Sequence, residues 1–297
     1  MRRILLPFVS VAFVAAISCA GPAFAYPVAH VDQEPRGKAI GYWTAERMRK
    51  AAPAERDSRP LPVRKPAKGG DGGASAGGSS EAPRPYPSTY GKVFFTSNSG
   101  VNYVCSGSAV VSANESVVWT AGHCVNEGPG AFYKNFLFVP GYLDGTAPHG
   151  KFEASTLLTT SGWQASGEWG VDVGAAVVDS NQAGETLSDA VDEAPLQFNA
   201  PRQQSYAIYG YPAAKKFSGQ RLRVCNTSWL LDDTSATPST IGASCDMTGG
   251  SSGGAWVTST GAVASVVSYS YRSLRNVLFG PHLESEAQSL YAAAALG

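Results

Sequence analysis

The chain has 297 residues, 43% apolar and 15% charged, and its 23 basic and 23 acidic side chains cancel to a formal charge of zero. That balance excludes a disordered polyampholyte and argues against a basic nucleic-acid binder, while 33 Gly and 19 Pro favour a turn-rich, all-β core over a helical bundle. The zero is a sum over unlike parts: residues 1–25 carry two arginines (+2), residues 26–90 carry 11 Lys/Arg against 7 Asp/Glu (+4), and residues 91–297 carry 10 against 16 (−6).

At the start, Arg2 and Arg3 precede an apolar run from Ile4 to Ile17, and Ala23-Phe24-Ala25 places small residues two apart. Residues 1–25 read as a secretory signal removed after Ala25, with a secreted product. Pro7 and Pro22 bracket a stretch too short to cross about 30 Å of hydrocarbon, so no stable membrane anchor is expected. Residues 26–87 read as a pro-segment and linker. Thr44 to Ala52 is a short helix candidate with Thr44 as N-cap, and Pro60 to Pro87 holds six Pro and six Gly with almost nothing to bury.

From residue 88 to 297 the texture is that of a single β domain. Short β-branched and aromatic runs at 92–96, 101–105, 108–112, 117–120, 136–139, 171–178, 205–210, 222–225, 255–258 and 263–269 read as strands, and Leu283 to Leu296, after Pro281, as a helix. Ten short strands indicate a sandwich or barrels. Four cysteines follow the signal: Cys105, Cys124, Cys225 and Cys245. In an oxidising space they imply two disulfides, and sequence allows three pairings. The pairing chosen is Cys105–Cys124 with Cys225–Cys245, each closing a loop of about twenty residues, worth about 3 kcal/mol apiece on the loop-entropy account. With no Cys-x-x-Cys, neither a zinc site nor another cofactor is expected.

Three stretches carry chemistry together: Thr120-Ala121-Gly122-His123-Cys124, Val171-Asp172-Val173-Gly174, and Gly249-Gly250-Ser251-Ser252-Gly253-Gly254. A serine hydroxyl needs a base to take its proton, and the base needs a carboxylate to hold its tautomer. Glycines around the serine let backbone N–H groups face a developing oxyanion. Each stretch alone is a commonplace of turns and loops. Their occurrence in the order His, Asp, Ser on a disulfide-bonded β chain is not.

On these motifs, residues of about 90 to 285 resemble the trypsin/chymotrypsin-like serine peptidases, in particular the secreted bacterial branch that includes the glutamyl endopeptidases. Thr120 to Cys124 matches the family's histidine motif, Cys105-Ser106-Gly107-Ser108 is similar to the strand whose Cys pairs with the one after the His, and Gly250 to Gly254 is similar to Gly-x-Ser-Gly-Gly. The resemblance implies two six-stranded Greek-key β-barrels with a C-terminal α-helix, and a monomeric enzyme acting on protein or peptide substrates. It implies Ser252 as nucleophile, His123 as general base and acid, and Asp172 as orienting carboxylate, with Asp144 and Asp179 as outside candidates. The amides of Gly250 and Ser252 are implied as the oxyanion hole, and Asp246, Ser268, Tyr269 and Ser270 as the substrate pocket.

The resemblance puts Asp246, six residues before Ser252, where trypsins hold the carboxylate that selects Lys or Arg, so a basic residue before the cleaved bond is favoured, with a structural role beside Cys245 as an equal alternative for that carboxylate. The stretch Val266 to Ser270 lacks the His that glutamyl endopeptidases carry, which disfavours Glu. Ser251 stands where animal digestive members have an Asp that pairs with the new N-terminus, so that activation switch is absent. Silencing by residues 26–86 then requires occupying the cleft or misplacing the mature N-terminus, which is expected between Tyr86 and Gly91. The rival reading is a peptidase-like binding module without catalysis. An esterase elbow at Gly249 to Gly253 lacks the βα alternation it needs. The basic cluster Lys215, Lys216, Arg221 and Arg223 reads as a solvated hairpin.

Overall fold

The computed structural model describes residues 27–31, 37–54 and 77–296; the expected signal and most of the Pro/Gly linker lie outside the described residues. Four short elements come first: β1 (Val28–Val31), α1 (Lys38–Tyr42), α2 (Ala45–Lys50) and β2 (Ala52–Pro53). Helix α2 is the one that Thr44 predicts, with its Oγ1 accepting the Arg47 N–H at 3.2 Å. The surroundings of α2 are more structured than their composition suggests, because Trp43 and Met48 are buried against the body.

β3 (Ser80–Glu81) opens the body and pairs with Arg223 and Val224. Ala82 and Tyr86 are buried, so the boundary expected at residues 87–88 falls inside packed structure. Next come β4 (Tyr90–Thr96), β5 (Asn102–Val110), β6 (Val117–Thr120), β7 (Lys134–Pro140), β8 (Phe152–Thr159), helix α3 (Ser161–Ser166) and β9 (Gly174–Val178). These six strands pair in the order β8-β7-β4-β5-β6-β9, and β9 returns to β8, closing a barrel. Closure pairs the two outermost strands of the ladder with each other. The runs expected at 101–105 and 108–112 are one strand, β5, in which Gly107 lets Val93 and Val118 approach to 3.1 Å of where a Cβ would sit.

After α4 (Leu187–Ala190) the second sheet comprises β10 (Ser205–Gly210), β11 (Arg223–Asp233), β12 (Thr240–Ser244), β13 (Ala255–Val257), β14 (Val263–Val266), β15 (Tyr269–Tyr271) and β16 (Leu274–Gly280). Its order is β14-β13-β10-β11-β12-β16-β15, so the two barrels expected are present, the first closed by a ladder and the second a half-barrel. The chain bends between the two end strands of this path. β14 and β15 are halves of one run that leaves β13 and joins β16, and at the bend the Val267 N–H goes to Gly254 O (2.8 Å) and the Ser268 N–H to Phe279 O (2.9 Å). Helix α5 (Ser285–Ala294) occupies most of the expected C-terminal helix and packs on β8 and β9.

The disulfides are Cys105–Cys124 and Cys225–Cys245, as chosen from the sequence. Lys92, on β4, is 1% exposed and ties the barrels together: its Nζ donates to Gly219 O at 2.7 Å and lies 4.7 Å from the Tyr142 ring. Burial pushes this amine down to about 7.

Candidate active site

His123 sits in a 3₁₀ turn, Gly122–Cys124, immediately after β6. Gly122 is required there, since a Cβ would lie 2.9 Å from both Thr159 Oγ1 and the Trp163 ring. The imidazole is 3% exposed, and its Nδ1 lies 2.8 Å from Asp172 Oδ2. The His123 backbone N–H donates to Asp172 Oδ1 at 2.8 Å, and Ser268 Oγ donates to Oδ2 at 2.5 Å.

Asp172 is not in a strand, as expected, but just after the 3₁₀ turn Trp169–Val171. Its carboxylate is fully buried, which on its own raises the pKa. The charge and N–H groups of His123 and the Ser268 hydroxyl outweigh burial and hold it below the usual carboxylate range. Asp144 instead pairs with Arg221 at 3.1 Å, and Asp172 rather than Asp144 or Asp179 is the carboxylate on His123. With Nδ1 turned to Asp172, the other ring nitrogen, Nε2, has no hydrogen-bond partner among the described residues.

Ser252 lies in the loop between β12 and β13, which presses against the histidine strand. Gly253, at φ +77°, would place a Cβ 2.0 Å from Thr120 Oγ1 and 2.4 Å from Ser106 O. Ser106, on β5 beside the first disulfide, fastens this loop twice: its N–H donates to Ser252 O (2.7 Å) and its Oγ donates to Gly250 O (2.9 Å). In sequence Ser106 is only part of a cysteine strand, because this role depends on a partner 144 residues away. Around Ser252 the N–H groups of Ser251, Gly253 and Gly254 are bonded to Thr248 O, Val267 O and Ser251 O. Those of Gly250 and Ser252 have no acceptor among the described residues.

A cavity of about 660 Å³ beside Ser252 is lined by Asp246, Ser268, Tyr269 and Ser270, the four residues expected at the pocket. The Tyr269 hydroxyl is turned to Asp233 Oδ2 (2.6 Å), so its ring, not its oxygen, forms wall. Both oxygens of Asp246 are engaged, by Lys216 Nζ at 2.7 Å and by the Ser79 N–H at 2.7 Å. Asp246 therefore presents no free carboxylate to a basic side chain and instead ties Lys216 to the Ser79 backbone. The basic cluster also divides: Lys216 goes to Asp246, Arg221 to Glu81 and Asp144, and Arg223 to Ser79 O. Cys105, His123 and Cys124 bring donor atoms close together, but both sulfurs are spent in the disulfide and offer no thiolate to a metal.

The trypsin family model matches residues 77–278. Among solved structures, protease Anisep from Arthrobacter nicotinovorans is 44% identical over 73% of this chain and 99% of its own, with a TM-score of 0.69. The thermostable serine protease AL20 from an extremophilic microorganism is 43% identical over 70% of this chain and 97% of its own, with a TM-score of 0.66. A Glu endopeptidase shares the fold at 19% identity, covering 75% of this chain and 98% of its own with a TM-score of 0.60. A search of curated proteins returned no match. The chain belongs to the trypsin family. Its class is that of the trypsin-like serine endopeptidases.

Proposed function

We propose that the protein is a secreted endopeptidase that cuts protein and peptide chains through Ser252, His123 and Asp172. The observation that carries this reading is the buried His123 Nδ1 to Asp172 Oδ2 contact of 2.8 Å, which leaves Nε2 as the one ring nitrogen able to take a proton. In the forward step Ser252 Oγ bonds to the substrate carbonyl carbon while its proton passes to His123 Nε2. The carbonyl oxygen becomes an oxyanion, for which the unengaged N–H groups of Gly250 and Ser252 are the available donors. His123 then returns the proton to the leaving amine as the C–N bond breaks. Water, deprotonated by His123, hydrolyses the acyl ester and restores Ser252. Asp172, held ionised, keeps the imidazole in the tautomer this sequence needs and stabilises the imidazolium.

Two disulfides and a family of extracellular peptidases support export, and among the described residues no helix is long and apolar enough to cross a membrane. The pocket formed by Asp246, Ser268, Tyr269 and Ser270 receives the side chain before the cut bond. Labelling with a serine-directed fluorophosphonate tests the proposal: modification is expected at Ser252 and is lost in Ser252→Ala together with casein hydrolysis. A processed protein that takes no label and leaves casein intact is a binding module, and undiminished hydrolysis by Ser252→Ala refutes the assignment of the nucleophile.

A further inference from the structure

The stretch preceding the body is held to the first barrel by a buried carboxylate and a buried indole. Glu153, on β8, is 6% exposed, and its carboxylate accepts the N–H groups of Gly37, Ala39 (3.0 Å) and Ile40 (3.3 Å) at the start of α1. No group of the body bonds that carboxylate among the described residues. A buried carboxylate without donors is costly, so this face of the barrel is built to be covered. Trp43 completes the anchor: fully buried, it lies 5.3 Å from the Phe94 ring and donates Nε1 to Asn135 O at 2.7 Å, and its carbonyl accepts from Lys151 Nζ at 2.9 Å. Charge is complementary, with four basic residues against one acidic over 37–54 and 11 against 17 (−6) over 77–297.

From the anchor the chain runs through α2 into the cleft. The β5–β6 ladder covers only Ser108 to Val110 of β5, which leaves one edge free at Tyr103 and Val104. Ala52 and Pro53 pair there in parallel, and the Ala54 N–H donates to Val104 O at 3.0 Å. Ala54 lines two cavities, one containing Ser252 and the 268–270 wall, the other containing His123. Yet no hydrogen bond joins residues 52–54 to Gly250, Ser252 or His123 among the described residues, so the segment occupies the cleft without offering a carbonyl for attack.

We propose that residues 27–54 are a tethered inhibitor, anchored on the Glu153 face and barring peptides from the cleft with Ala52–Ala54, and that the same face binds the segment after the linker is cut. The proposal rests on the peptidase reading above, and its test separates the two. A site for a specific processing protease replaces Gly69–Gly73 in the full chain, which is folded and then cut. The cut protein stays inactive towards a small peptide ester when concentrated and gains activity on dilution. Synthetic 27–54 in excess restores inhibition, whereas 27–51 co-elutes with the body but does not inhibit. Glu153→Gln weakens retention of 27–54 by about tenfold or more, through loss of hydrogen bonds to a charge, without changing the rate of the segment-free enzyme. Full activity in the concentrated cut protein with 27–54 still co-eluting makes the segment a brace and overturns the proposal; so does failure of excess 27–54 to slow the enzyme. Absence of ester hydrolysis and fluorophosphonate labelling even after the segment is washed away sinks the peptidase reading instead, while co-elution still reports the docking.

Discussion

At the scale of single residues the site depends on one carboxylate held by three donors. Asp172→Asn replaces an acceptor by an amide, so His123 loses its tautomer as well as its partner. The expected effect is a fall in kcat of about 10⁴ with KM little changed, measured on a peptide ester. Ser268→Ala removes one donor and leaves the pair, so kcat should fall about tenfold, the worth of one hydrogen bond to a charge. Because the folded-state pKa of Asp172 is depressed, its stabilisation is present above the unfolded carboxylate range and lost as pH falls through the folded value. Ser268→Ala therefore moves acid unfolding to higher pH, which denaturation against pH reads directly. Lys92 has the opposite sense. Its pKa of about 7 means that between about 7 and the ordinary 10.5 the unfolded chain holds a proton the folded chain has released. Stability then rises with pH across that window, by at most about 1.4 kcal/mol per pH unit from this group. Lys92→Met should flatten that rise in urea midpoints measured at successive pH values. The proposed His123, Asp172 and Ser252 could be picked out because each stands in a short local motif. Glu153 and Ser106 were not, since a Glu in a strand reads as solvent-facing and a Ser beside a Cys reads as filler until the distant partner is in place.

At the scale of elements, the strands that composition revealed are those with uninterrupted β-branched or aromatic runs, such as β4, β6 and β10. Three of those missed have definite reasons. β8 reads Phe-Glu-Ala-Ser-Thr-Leu-Leu-Thr, where Glu153 and Ser155 break the apolar run because β8 faces the leader and β9 as well as the lumen. β12 has Gly242 at its centre, where a Cβ would meet the Phe279 ring at 2.7 Å. β16 begins with exposed Arg275 and Asn276 and is buried only from Val277. The two barrels followed from the family resemblance, whereas the bend that carries one run from β13 to β16 lies in two ordinary residues, Val267 and Ser268. The disulfide Cys225–Cys245 joins β11 to the segment after β12 with a separation of 20 residues. Replacing both cysteines by alanine should cost about 3 kcal/mol in urea unfolding. Gly253→Ala should be worse tolerated than any exposed-loop glycine, because φ +77° and the backbone of Ser106 both exclude a Cβ. Its soluble yield against that of Gly261→Ala, where nothing lies within 4 Å, provides the comparison.

At the scale of the molecule, the residues just before the expected boundary at 87–88 pack with the body. β3, Ala82 and Tyr86 belong to the packed body, and the family match begins at residue 77. N-terminal sequencing of processed protein is expected to give a first residue at or before Gly77, and a start between Tyr86 and Gly91 would restore the earlier boundary. Removing 27–54 also takes Trp43 from the core of the first barrel, so the thermal midpoint of the cut protein should fall as the segment is diluted away. The bend at Val267–Ser268 has a wider consequence. Ser268 belongs to the second sheet and lines the pocket, yet its hydroxyl holds the carboxylate of the first barrel. The two halves are therefore not interchangeable modules. A chimera that takes its second half from a relative inherits a new pocket and, with it, a new setting of the acid–base pair, unless the seam residue is carried across unchanged.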